Sequence, residues 1–247
     1  MRLHLYALFM LLLLILSPPI LAQGITIGAG GSFELGSGRI DLGCRSLQIN
    51  GLLALQSGVA SGITDVTVTG LVEGGIGALS HGGNWTNTGS INPALSQISI
   101  TDECGLSSAM IIGDSVFHDW TVQTSSGKQL LFEAGSTQQV SNQLVLTGSS
   151  GHLLTIRSTL TGPPGFLILG SSGSQFIEFV DVQDNHAILP GQFLAPGLPA
   201  NYNAIDSGGN FRWFGLPFAI PALQPGGLFL LIITILAFAV VGFRRAI

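Results

Sequence analysis

An all-β fold, specifically a right-handed parallel β-helix, is what this sequence predicts, and three observations predict it. Short runs rich in Val, Ile, Leu and Phe recur between residues 23 and 214, each followed within three residues by Gly, Ser, Asn or Asp. Such runs between such residues are strands bounded by turns. The links are small and Gly-rich, as in Thr147-Gly148-Ser149-Ser150-Gly151, and the chain carries 35 glycines. Charged residues make up only 9% of the chain, which suits stacked coils with little loop decoration. In a coil of this kind each strand runs parallel to its copy one turn away, and inward aliphatic side chains stack into one core. A two-sheet sandwich fits the same spacing; antiparallel facing sheets would distinguish it.

The clearest runs are residues 46–49, 65–69, 97–101, 129–132, 143–146, 153–157, 166–169 and 176–182. Through the second half they recur every 10 to 14 residues. Helical periodicity is almost absent from this body. Residues 23–119 read as a Gly-rich N-terminal part of the solenoid, residues 120–214 as its C-terminal rungs, and residues 215–225 as a linker.

The two ends differ from the body. Residues 1–22 have the layout of a secretory signal peptide: Arg2 and His4, an apolar run over 5–16, a break at Pro18 and Pro19, and Ala22 before the cut. The rival is an uncleaved anchor, which the short run and the prolines disfavour. Residues 226–247 read as a transmembrane helix with a basic tail. Residues 226–241 are apolar except for Thr234, and Arg244 and Arg245 close the span as cytoplasmic-side charges do. A helix buried in a soluble domain would need a polar stripe or complete burial. The two ends agree on an exported body, membrane-anchored, on the periplasmic or extracellular side.

That body holds all 13 acidic residues, against Arg39, Arg45, Lys128, Arg157 and Arg212. A thin, acidic charge set excludes nucleic acid as a partner, since binding it needs clustered basic side chains. Cys44 and Cys104 are the only cysteines. Both lie where disulfides form, so a bridge is the candidate and two free thiols the alternative.

Chemistry is sparse. Asp181, Asp184 and His186 are the best local candidates for an acid/base pair or a calcium site. Against this, Asp181 follows Val180 in an alternating strand, and Asp184-Asn185 is ordinary turn composition. Asp102-Glu103 reads as a turn after the run 97–101. The loop 206–210 is calcium-like but lacks the spaced ligands of an EF-hand. Asn84-Trp85-Thr86 fits a glycosylation acceptor. Nucleophile-elbow, zincin and phosphate-loop motifs are absent from the sequence. No catalytic residue and no cofactor is expected. Trp120 and Trp213 are either a sugar platform or, more in keeping with a coil that must end, core and capping aromatics.

The stretches 126–135 (SGKQLLFEAG), 143–148 (QLVLTG), 151–158 (GHLLTIRS), 175–184 (QFIEFVDVQD) and 203–213 (NAIDSGGNFRW) resemble the rungs of bacterial surface β-helix proteins. Ile220, Pro221, Ala222 and Leu223, the apolar span and Arg244-Arg245 are similar to the IPTL-type C-terminal sorting signal of Gram-negative bacteria. Ala222 stands where that signal usually has Thr. The resemblance implies a Gram-negative host and a sorting protease as partner. The expected function is a membrane-tethered or sorted cell-surface protein of structural or adhesion type without catalysis. Its partners would be polysaccharide or extracellular matrix. The alternative is a carbohydrate-active module on the same fold.

Overall fold

The computed structural model describes residues 24–215. The signal peptide, the sorting-like motif and the span expected over 226–247 lie outside the described residues. Among the described residues no helix is long and apolar enough to cross a membrane.

Alternation decides the architecture. In the strand Gln97–Ile100 the side chains run exposed, buried, half-buried, buried, and Gly165–Leu169 buries every second residue. Each such strand has one apolar face to cover. The chain covers it by winding into an all-β parallel solenoid of about eight turns. Every strand ladder is parallel, as in Val66 beside Trp85, Gln97 beside Asp119 and Leu130 beside Ile156. A sandwich of antiparallel sheets is thereby excluded.

Each coil has three faces. The first carries Ile25–Ile27 and ends with Ile205–Asp206. The second begins at Ser32–Glu34 and reaches Asn185–Ala187. The third runs from the start of Arg39–Ile49 to Ser174–Glu178. Inward columns climb the prism. On the third face Ala60, Leu79, Ile98, Trp120 and Leu144 stack in register and are all buried. Beside them Ile63, His81, Ile100, Val122, Leu146 and Ile177 form a second column. Trp85, Phe117, Trp120 and Phe132 touch ring to ring in the middle coils.

Three faces per coil mean that strands come closer together than the 10 to 14 residues the sequence suggested. The run 176–182 shows why. It is two strands, Ser174–Glu178 and Val180–Val182. Phe179 turns the corner between them with φ of 54°, a left-handed backbone inside an apolar stretch that offers no Gly or Pro to mark it. The N-terminal half is the more regular: its third-face strands stack Arg39, Val59, Ala78 and Gln97 in register at nearly even spacing. Trp120 and Trp213 are both buried. Trp213 lies alongside Leu194 with Phe214 against it, so both tryptophans belong to the core and its last rung.

One ladder is broken. The second face of the first four coils is a separate four-stranded sheet ending at Ser90–Asn92. The next strand on that face, the start of Ser115–Gln123, pairs upward with Thr137–Thr147 but not downward with Ser90–Asn92. Side chains fill the place of the missing ladder. Asn87 donates to the Asp114 carbonyl at 2.6 Å and to Ser115 Oγ at 3.3 Å. Trp85 Nε1 donates to the same hydroxyl at 3.0 Å.

Candidate functional site

The three polar residues singled out in the sequence do not form one site. Asp181 sits on the first face, its carboxylate 2.6 Å from Arg157 Nη2 and accepting from Ser207 Oγ at 2.6 Å. Asp184 turns the next corner with φ of 51° and is buried. It accepts from the Gly162 N–H at 3.1 Å. A Cβ at Gly209 would stand 2.1 Å from Asp184 Oδ1, so glycine is required there. His186 lies on the second face, Nε2 3.1 Å from the Gly209 carbonyl. Asp181 is tied to Arg157 and Ser207 on the first face, whereas Asp184 at the corner and His186 on the second face both lie against Gly209. Among the described residues no three His, Cys, Asp or Glu side chains group as metal ligands. The loop 206–210 closes on itself, Asp206 accepting from Gly208 N–H and Asn210 Nδ2.

Cys44 and Cys104 are bridged, their Cα atoms 5.4 Å apart. The bridge ends a short strap, residues 101–107, inserted between the fourth and fifth coils. The strap runs down the corner between the third and first faces. Glu103 accepts from Ser80 Oγ at 2.9 Å and from the Gly62 N–H at 3.2 Å. Above it, Asp102 accepts from the Ser125 N–H at 2.8 Å and its hydroxyl at 3.1 Å. Burial works against the Asp102 carboxylate, but hydrogen bonds from Thr124, Ser125 and Ser126 outweigh it and hold its pKa at about 2. Lys128 is 1% exposed and donates to the carbonyls of Gly82, at 2.8 Å, and Leu106. Burial pushes its pKa below the usual lysine value, with Asp102 opposing. These groups tie coils together, and Asp102 and Ser125 also line a small surface hollow of about 230 Å³ with Thr101 and Gln123.

The outward part of the second face is different. At the broken ladder a cleft of about 390 Å³ opens, lined by Asn87, Ser90, Ile91, Asp114, Val116, Thr137 and Gln139 among others. Asp114 is the only charged residue in that lining, and one of its oxygens accepts from the Thr137 N–H at 2.7 Å. Thr137 is in register with Phe166, Phe166 with His186, and His186 with Phe211. Their rings stand 6.0 and 5.8 Å apart, centroid to centroid, inclined by 64° and 57°. Phe211 is 57% exposed.

Of this face, the sequence reading reached only His186. The ladder needs the registers, because Phe166, His186 and Phe211 are not evenly spaced along the chain. The available signal was an aromatic or His near the start of each late second-face strand.

The chain matches no family model, and neither a curated protein nor a solved structure is similar to it.

Proposed function

We propose that this chain is an exported cell-surface module of structural or adhesive type, a right-handed rod held at the membrane by its C-terminal segment, which binds without turnover. The hand is the one parallel crossovers take in about 98% of cases. The observation that carries the non-catalytic part is the use made of the carboxylates. Every acidic side chain but Glu73 accepts a hydrogen bond within the described residues. Most of these bonds reach a neighbouring coil, as from Gln56 to Glu34, Asn84 to Asp65, and Asn142 to Asp119. Catalytic carboxylates converge on a reacting atom; these are spread along the prism as acceptors between rungs. A parallel solenoid gives a stiff, repetitive surface, a form suited to display and adhesion.

The test uses the full chain, produced with both native ends in a Gram-negative host. The body should fractionate with membranes and be cut by protease added to the outside of cells or spheroplasts. Incubation with neutral and acidic polysaccharides should release no reducing ends and no unsaturated products. A cytoplasmic body would overturn the export reading, and product release the non-catalytic one. If a sorting protease acts on the tail, the mature chain ends near residues 220–227, and Pro221→Ala blocks that cut.

A further inference from the structure

We propose that the second face, from the cleft at Asp114 up to Phe211, is a binding site for a neutral polysaccharide. The proposal deepens the adhesive function above and rests on it. The cleft lies at the foot of one continuous outward column, Asp114, Thr137, Phe166, His186 and Phe211, with Asp114 bonded to Thr137 and the rest in strand register. From Thr137 to Phe211 the column climbs about 14 Å, one interstrand spacing per coil. That length suits a linear ligand rather than a small molecule.

The chemistry of the face selects the ligand class. Neither the cleft lining nor the column contains Lys or Arg, so an anionic ligand would find no counter-charge. The cleft has an apolar part, Ile91 and Val116, beside the hydroxyl and amide groups of Ser90, Thr137 and Gln139. Apolar surface with a few orienting polar groups is the usual make-up of a small-ligand site, and here the polar groups are neutral apart from Asp114. His186 adds a directed group. The Gly209 carbonyl can only accept, so Nε2 carries the hydrogen of that bond. In the neutral ring Nδ1 is then an acceptor, and it has no partner within the described residues. Sugar hydroxyls supply donors, and sugar C–H surfaces pack on aromatic rings; the column offers acceptors at Asp114, Thr137 and His186 and rings at Phe166, His186 and Phe211.

An inserted peptide strand is the competing occupant of a broken ladder. It would need about twice the interstrand spacing between the fourth and fifth coils. Those coils are paired directly on both other faces, Trp85 beside Ile111 and Gln97 beside Asp119 through the parallel neighbours Gln97–Ile100 and Ser115–Gln123, so the gap is too narrow.

The experiment is affinity electrophoresis of the full-length protein in mild detergent. The gels contain hydroxyethyl cellulose, galactomannan, xylan or, as the anionic comparison, polygalacturonate. At least one neutral polymer should retard the wild type, with polygalacturonate without effect. Phe211→Ala should weaken that retardation about tenfold, the scale of one well-placed aromatic contact. Ser90→Leu should do likewise by filling the cleft. That substitution continues an outward column already occupied by Leu52 and Leu71. Phe176→Ala, at an equally exposed phenylalanine of the third face, should leave retardation unchanged and serves as the folding-matched comparison. No retardation by any neutral polymer overturns the proposal. Retardation only by polygalacturonate, or an equal loss in Phe176→Ala, overturns it as well. So does a concentration-dependent dimer that Phe211→Ala dissolves while no polymer is bound. Retardation with product release would leave the site standing and overturn only the non-catalytic function. A surface-exposed protein that binds no polymer would do the reverse.

Discussion

His81 occupies a place in an inward column between Ile63 and Ile100, where every other member is aliphatic. Its ring is fully buried and lies 5.6 Å from Trp85, centroid to centroid. Nδ1 is 3.1 Å from the Gly83 carbonyl, which only accepts, so the hydrogen sits on Nδ1; Nε2 is buried without a partner. Protonation would put a cation in the core near Lys128. Burial, the largest cause, lowers its pKa from 6.5 to about 4, against the Gly83 bond and with the help of Lys128. The sign follows directly. Between pH 6.5 and about 4 the unfolded chain takes up the proton and the folded chain does not, so stability falls as pH falls through that window. The loss is about 3 kcal/mol on full titration. Asp102, held at about 2 against an ordinary 3.8, adds a further loss in the same direction below that window. We predict that urea midpoints of the wild type drop steeply from pH 7 to pH 4, and that His81→Leu flattens this drop while raising stability at pH 5. Equal pH slopes in the two proteins would remove His81 from the account.

At the scale of elements, the strap over residues 101–107 is an irregular piece held on both sides, by Ser80 and Gly62 below and by Ser125 above. Its bridge to Cys44 closes a loop of 60 residues, for which chain entropy alone gives about 4 kcal/mol. We predict that dithiothreitol, or the double change Cys44→Ser and Cys104→Ser, lowers stability by an amount of that order, read as a shift in urea midpoint at constant slope. Alkylation of both thiols in unreduced, folded protein would contradict the bridge. Lys128→Met should also destabilise, because the carbonyls of Gly82 and Leu106 lose their buried donor. The elements were legible in the sequence to different degrees. Strand character and stacking could be read from runs such as 143–146 and 97–101, because alternation is local. The corner at Asp184 showed as turn composition, but the one at Phe179 did not, because it takes a left-handed backbone within a run that looks continuous. The strap showed only as an acidic pair beside a cysteine. Asp181, Asp184 and His186 were grouped because they are neighbours in sequence. A coil with three faces places such neighbours on different sides, and instead brings together Phe166, His186 and Phe211 from successive turns.

At the scale of the whole molecule a solenoid is nearly one-dimensional: each coil touches chiefly its neighbours, and stability is a chain of interface terms. The weakest interface governs where it opens. Between the fourth and fifth coils two faces are laddered, Trp85–Ile111 and Gln97–Asp119, and the second is not. Asn87, Trp85 and Ser115 bridge that seam with side-chain bonds, the strap crosses it through Asp102 to Ser125, and Lys128 reaches across it to the carbonyls of Gly82 and of Leu106 in the strap. Side chains therefore carry more of the coupling here than at other interfaces. We predict that hydrogen exchange divides the rod near residue 100, with amides of Ser90–Asn92 and residues 115–117 exchanging faster than those of the core strands Val59–Val68 and Thr137–Thr147. Substituting Asn87 by Ala should sharpen the division, since it removes the donor to the Asp114 carbonyl and leaves Ser115 Oγ with Trp85 as its donor. The cost should be about 1–3 kcal/mol, as for a buried polar group left unpaired. With the disulfide also reduced, thermal unfolding should split into two transitions, the N-terminal four coils separating from the rest. A single coincident transition in the reduced Asn87→Ala protein, followed by circular dichroism and by Trp213 fluorescence after Trp85 and Trp120 are replaced by Phe, would show instead that the two laddered faces alone keep the rod cooperative across the seam.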